Sequence, residues 1–355
     1  MARRISLLVF LGLLVLSAAT VLTQTAWTKA APFPEPDEEL YGVTANNTLY
    51  VIGGFAGGRA AGMAYEYDSA TDTWTKKAPM GRAAHHSALA EVGGKIYVFG
   101  GFVQPTSGPA GGWQPIDNAW EFDPTANTWK PLPPLPTKRG AAVAVAAAGK
   151  IYVIGGASTP IGSNAVAITG GGPARSVGSN EVYDPATNTW TTATEMPTAR
   201  NHPFAGLVNG RIYVIGGRLA TGFITAATNT DVVEEFDPAT NAWGGPKARM
   251  PTPRSGGGWG TYGGRIYVAG GEVATPQLVG AYRAVEAYEP ATNTWLTMPS
   301  MPIPRHGVAG AVVGNRLHLV SGMVTSAAVG AGQDPAVHLH TSSHDVLELP
   351  QVGTR

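Results

Sequence analysis

The sequence predicts an all-β fold in which six four-stranded antiparallel units close into a ring. Three observations predict it. A short apolar run stopped by glycine recurs six times: LYVIGG (49–54), IYVFGG (96–101), IYVIGG (151–156 and 212–217), IYVAGG (266–271) and the worn LHLVSG (317–322). Trp27, Trp74, Trp129, Trp190, Trp243 and Trp295 each precede one of these glycine positions by 26 residues, once by 27. An aromatic residue (Tyr67, Phe122, Tyr183, Phe236, Tyr288) stands seven residues before each of the five later tryptophans.

Taken in chain order, residues 1–19 read as a secretory signal peptide. Arg3 and Arg4 make a positive start, Ile5 to Leu16 an apolar run too short to span a bilayer comfortably, and Ser17-Ala18-Ala19 a small-residue cleavage site. Residues 20–355 are then one domain, expected to be secreted or periplasmic, with a membrane attachment only if the segment stays uncleaved. Each repeat opens on a strand a of small residues, as in AAVAVAAAGK (141–150), which lets backbones crowd near an axis. Strand b is the glycine-stopped run, rich in β-branched and aromatic residues and too short for a helix. Strands c and d carry the aromatic residue and the tryptophan, joined by a turn such as DPATNT (184–189), where Asp and Pro favour turn initiation and Asn tolerates a left-handed backbone. The sixth unit has a strand c at HDVLELP (344–350) but no following tryptophan; TAWTKA (25–30) at the other end supplies the missing strand d and closes the ring.

The glycine pair, Tyr, Trp and phased spacing resemble the kelch repeat over residues 25 to about 350. The resemblance implies a six-bladed β-propeller, one repeat per blade. Hairpin antiparallelism puts the b–c and d–a loops on one face. All length variation falls in the b–c segments (55–63, 102–117, 157–179, 218–230, 272–283 and 323–343), so that face is expected to carry function.

Lys plus Arg equals Asp plus Glu at 24 each, which leaves no overall basic field for nucleic acid. The absence of cysteine excludes disulfides, thiolate sites and a lipid-modified cysteine. It also excludes the cysteine–tyrosine cofactor of galactose-oxidase-type kelch enzymes.

Arginines open five strands a: Arg82, Arg139, Arg200, Arg254 and Arg305, read as repeat-packing residues, with an anion-attracting ring as the alternative. Kelch domains that grip acidic peptides place contact residues after that arginine or after the glycine pair. The resemblance therefore makes Phe55, Phe102, Arg218, Glu272, His202 and His306 binding candidates, beside Asn201, Ser255, Ala157 and Met323. Trp113, behind Gly111-Gly112, is a candidate aromatic platform for sugar. The first expectation is an exported, non-enzymatic module, without cofactor, that recognises a protein or glycan. The alternative is a sugar-acid mutarotase resembling exported six-bladed kelch epimerases for N-acetylneuraminate, with Glu272 and Arg283 as its carboxylate and cation. A weaker alternative is a metal site at His338, His340 and His344.

Overall fold

The computed structural model describes residues 27–56, 59–104, 113–159, 175–219, 228–274, 278–326 and 339–351. The expected signal peptide, Gly111, Gly112 and His338 lie outside them. Within the described residues the chain forms six four-stranded antiparallel sheets and three two-stranded ribbons, with no helix. Each sheet is one blade with strands in the order a-b-c-d. Blade three is representative: Val143–Ala147, Lys150–Ile154, Asn180–Asp184 and Thr189–Thr192. Blade six is Ala309–Val313, Arg316–Val320 and His344–Glu348, completed by Trp27–Lys29 from the start of the chain, with Trp27 opposite Leu347.

The repeated residues have physical jobs at the seams. Each c-strand aromatic faces its tryptophan directly across the hairpin; Tyr183 lies opposite Trp190, for example, with ring centroids 5.2 Å apart. Each indole N–H then donates to a carbonyl of the preceding blade's exit loop. Trp74 bonds Ala31, Trp129 Ala78, Trp190 Pro133, Trp243 Thr194, Trp295 Ala248 and Trp27 Pro299, all at 2.8–3.0 Å.

The glycine pair docks the other way, onto the following blade. The second glycine's N–H donates to a carbonyl there: Gly101 to Arg139, Gly156 to Arg200, Gly217 to Arg254, Gly271 to Arg305 and Gly322 to Asp37, at 2.8–3.0 Å. The first glycine must let that carbonyl in. A Cβ on Gly100 would lie 2.2 Å from the Arg139 oxygen, and φ there is +59°. The fixed 26 residues therefore run from a tryptophan that docks back on the preceding blade to the next blade's glycine pair, which docks forward on the blade after it.

Hydrophobic clusters fill the spaces between sheets, mixing residues of neighbouring blades. One joins Leu49, Val51 and Tyr65 of blade one to Ala309, Ala311 and Val320 of blade six. The six strands a surround a central channel of about 350 Å³, lined by Gly42, Leu89, Ala144, Gly206, Gly260 and Gly310 among others. Small residues are required there: a Cβ on Gly42 would meet the Gly310 carbonyl oxygen at 2.7 Å.

Candidate functional site

Four arginines occupy one register, sixteen residues before the glycine pair of their own blade: Arg139, Arg200, Arg254 and Arg305. All are buried and ion-paired to a strand-c carboxylate of the same blade, respectively Glu181, Glu234, Glu286 and Asp345. Each also donates to backbone carbonyls, as Arg139 does to Val153 at 2.8 Å and Thr137 at 3.1 Å. They are packing residues, held by ion pairs rather than by stacking on aromatics. Arg82 does not belong to the set. It stands two residues early, is exposed and donates to Asn118 at 2.9 Å, while Ala84 takes the position in register. In blade one that position is Asp37.

The next residue in each blade lies beside the residue after the glycine pair. His85 bridges Phe102, Gly140 Ala157, Asn201 Arg218, Ser255 Glu272 and His306 Met323, and the Phe55 N–H donates to the Glu38 carbonyl at 2.8 Å. The two candidate sets expected from the repeat thus meet on one face, at the end of the channel. The residue after that is left-handed in every blade: Glu39, His86, Ala141, His202, Gly256 and Gly307, with φ between 53° and 67°. Successive members are linked by backbone hydrogen bonds. Ala141 donates to His86, His202 to Ala141, Gly256 to His202 and Gly307 to Gly256. This ring of turns lies at the channel mouth.

A buried polar cluster sits at and around the ring. Arg218 pairs with Glu272 and its Nε donates to Ser255 Oγ at 2.8 Å; Ser326 donates to the other Glu272 oxygen. His306 Nε2 is 3.3 Å from Glu38 and 3.8 Å from Glu272, and His340 Nε2 is 3.7 Å from Glu38. Glu39 faces His86 at 3.1 Å. Charges compensate within this cluster. Burial opposes ionisation of Glu38, but hydrogen bonds and charge from His306 and His340 hold it down to about 2. Burial would likewise keep His306 neutral, yet Glu272, Glu38 and Glu39 raise it to about 9. His202 goes the other way: burial, then the Arg218 charge, push it well below the usual histidine range.

Phe55, Phe102 and Trp113 come together differently from the platform expected at Trp113. Phe55 stacks on His85 at 4.1 Å, and Trp113 meets Phe55 and Phe102 at 5.6 Å. Trp113 is only 7% exposed, so it braces the blade-two loop and offers no open face to a sugar. Nor does Arg283 join Glu272. It is exposed, and its Nε donates to the Met301 carbonyl at 2.6 Å; the cation beside Glu272 is Arg218, from the neighbouring blade. His340 and His344 are also kept apart. His344 is buried in strand c of blade six against Tyr67, Trp74 and His318, whereas His340 lies beside Glu38 at the mouth.

Asp37, Glu38, Glu39, His85, His86 and Ser326 belong to this region and were not among the sequence candidates. Counting back a fixed distance from each glycine pair, rather than looking for an arginine, places five of the six in register.

The comparisons agree with this architecture. The family model described as the KLHDC2/KLHL20/DRC7 Kelch-repeats domain matches residues 12–156 and 42–191, and the Kelch motif matches 199–243 and 253–302. Kelch-like protein terF of Aspergillus terreus is 29% identical over 302 residues, covering 82% of this chain and 62% of that protein. Human Kelch-like protein 23 is 28% identical, covering 78% and 44%. This chain therefore spans less than two thirds of these relatives. The solved structure of YjhT covers 90% of this chain and 96% of its own, with a TM-score of 0.69 at 20% identity, a likeness of fold. From repeat, ring and matches together, the chain belongs to the kelch-repeat β-propeller family.

Proposed function

We infer that this propeller is a protein-recognition module that docks its partner on the face carrying the b–c and d–a loops. One observation carries the reading. Among the described residues the exposed large apolar side chains are Leu219, Leu278, Val279, Leu339 and Leu296. The first four all lie in b–c segments of blades four, five and six, on that face; only Leu296 lies elsewhere, in the outer strand of blade five. Exposed apolar residues gathered on one face suit an interaction surface, and covering a leucine already half buried contributes about 1 kcal/mol. Kelch-like relatives generally mediate protein–protein binding, which supports a protein partner.

Crosslinking and capture from the producing cell envelope, with the purified chain as bait, tests this. Leu219→Glu, Leu278→Glu and Leu339→Glu together should abolish the crosslinked partner while the melting temperature stays unchanged. Undiminished crosslinking by the triple variant would refute the face. The competing reading, a glycan or sugar-acid site at Glu272, is not favoured by geometry, because both Glu272 oxygens are engaged by Arg218 and Ser326. A thermal shift with N-acetylneuraminate would revive it. Export belongs to the proposal through the pattern of residues 1–19; mass spectrometry of the envelope protein should find those residues removed.

A further inference from the structure

The ring position at the channel mouth carries Glu, His, Ala, His, Gly and Gly around the axis. Three members have side chains that reach; the other three have almost none. Ala141 lies between His86 and His202 in the ring, and its small side chain lets the two imidazoles approach to 4.8 Å, nearly perpendicular at 83°. Glu39 completes the group from blade one.

We propose that Glu39, His86 and His202 hold one divalent transition-metal ion of the zinc type at the propeller axis. A ligand oxygen of Glu39 and one ring nitrogen from each histidine all lie within 4.8 Å of one another, and all three residues are buried. Two imidazoles and one carboxylate are a ligand set suited to zinc and its neighbours in the first transition row.

Hydrogen bonding around the rings orients them for this. His86 Nδ1 is engaged with His85 Nδ1 at 2.6 Å, and His202 Nδ1 with Asn201 Oδ1 at 2.5 Å. With both Nδ1 atoms engaged, Nε2 is the nitrogen each ring has left for a ligand role, the outer contact fixing the ring as such contacts do around bound metals. An ordinary Glu–His hydrogen bond does not account for the group. His86 Nε2 is 3.1 Å from Glu39 yet forms no hydrogen bond with any described residue, although the side chain is 1% exposed. A buried imidazole nitrogen with only a misaligned carboxylate contact is poorly satisfied, and an ion between the three side chains would satisfy both groups.

There is also room. A cavity of about 10 Å³, the space of one water, adjoins Glu39 and His202 and is lined by Ala141, Gly256 and Gly307 of the same ring. A fourth ligand such as water fits on that side. The ring turns are fixed by backbone bonds between blades, so the ligands are carried on the rigid part of the fold. This site goes beyond the recognition reading and does not depend on it.

The test uses the full mature chain, prepared without a histidine tag and stripped with a chelator. The folded apoprotein should take up one Co²⁺ per chain, with visible absorption bands of nitrogen–oxygen coordination that Zn²⁺ displaces. His86→Gln and His202→Gln should each weaken uptake by about a hundredfold or more, beyond what outer-contact changes cost. His306→Gln and His340→Gln should bind as the parent does. Should the ligand variants fail to fold, pulsed EPR of the Cu²⁺-loaded parent still decides, since it should count two coupled imidazoles. No Co²⁺ uptake, undiminished uptake by His202→Gln, loss on His306→Gln in place of His202→Gln, or any other imidazole count would overturn the assignment.

Discussion

Arg139→Met is the sharpest test of how the blades are held. The Arg139 side chain is fully buried and meets Glu181, itself 6% exposed. Removing the guanidinium strands that carboxylate in a nearly dry site within the blade and takes its donors away from the Val153 and Thr137 carbonyls. Breaking a buried pair from one side costs about 3–5 kcal/mol. For a chain of this length the unfolding entropy is roughly 0.7 kcal/mol per kelvin, so the melting temperature should fall by about 4–7 °C. The double variant Arg139→Met/Glu181→Gln removes the stranded charge. Its new side-chain amide oxygen can still accept from the Thr137 hydroxyl, which in the parent donates to Glu181 at 2.6 Å. Two carbonyls then lose their guanidinium donor, and the loss should shrink to about 1–3 kcal/mol. Thermal melts followed by circular dichroism on the parent, both singles and the double give the coupling directly. A loss below about 1 kcal/mol for Arg139→Met, or a double variant worse than the single, would refute the account.

The remaining predictions concern the seams. Gly100→Ala pushes a Cβ against the Arg139 carbonyl at positive φ, so strain and clash together should cost at least about 3 kcal/mol. Gly149→Ala, at a turn with φ +77° and open space, should cost only about 1 kcal/mol; equal losses in urea denaturation would contradict the docking role of the glycine pair. His318 and His344 touch at 2.9 Å, and burial, then the neighbouring imidazole for His318, depresses them to about 3 and about 4. Their folded pKa values lie below the ordinary 6.5, so the unfolded chain binds more protons between about pH 4 and 6.5. Their contribution is therefore whole above about pH 6.5 and lost as pH falls, amounting to about 3 kcal/mol for His344. His344→Gln should flatten that part of the stability profile; an unchanged slope between about pH 6.5 and 4.5 would count against it.

Much of the fold was legible because its seams are written locally. Tyr183 and Trp190 pair across a hairpin at a separation of only seven positions, and the glycine pair can be read directly from the chain. Closure was legible too, since Trp27 is phased to the next glycine pair like every other tryptophan. The site was less so, for a geometric reason. Glu39, His86 and His202 come from blades one, two and four, 47 and 116 residues apart in the chain, and meet only where the ring of turns brings them to the axis. Nearness in the chain misled at Arg283, which shares a loop with Glu272, whereas Arg218 reaches Glu272 from the neighbouring blade. At Arg82 residue type was followed where register governs, and Ala84 holds the position.

The latch formed by Trp27–Lys29 also sets a schedule. Its partner strand lies at the far end of the chain, Thr28 meeting Val346 across 318 residues. At synthesis speeds of about 5–20 residues per second, the latch emerges roughly 16–60 s before anything exists for it to hold. Blades two to five can each dock on a predecessor as they appear. The sixth cannot finish without Trp27–Lys29, so until then both that strand and His344–Glu348 present raw strand edges. An interrupted or truncated chain would keep those edges for good, and a neighbouring nascent copy offers the same latch in the same register. Crowded ribosomes translating this message are thus the setting in which ring closure and strand exchange compete most directly.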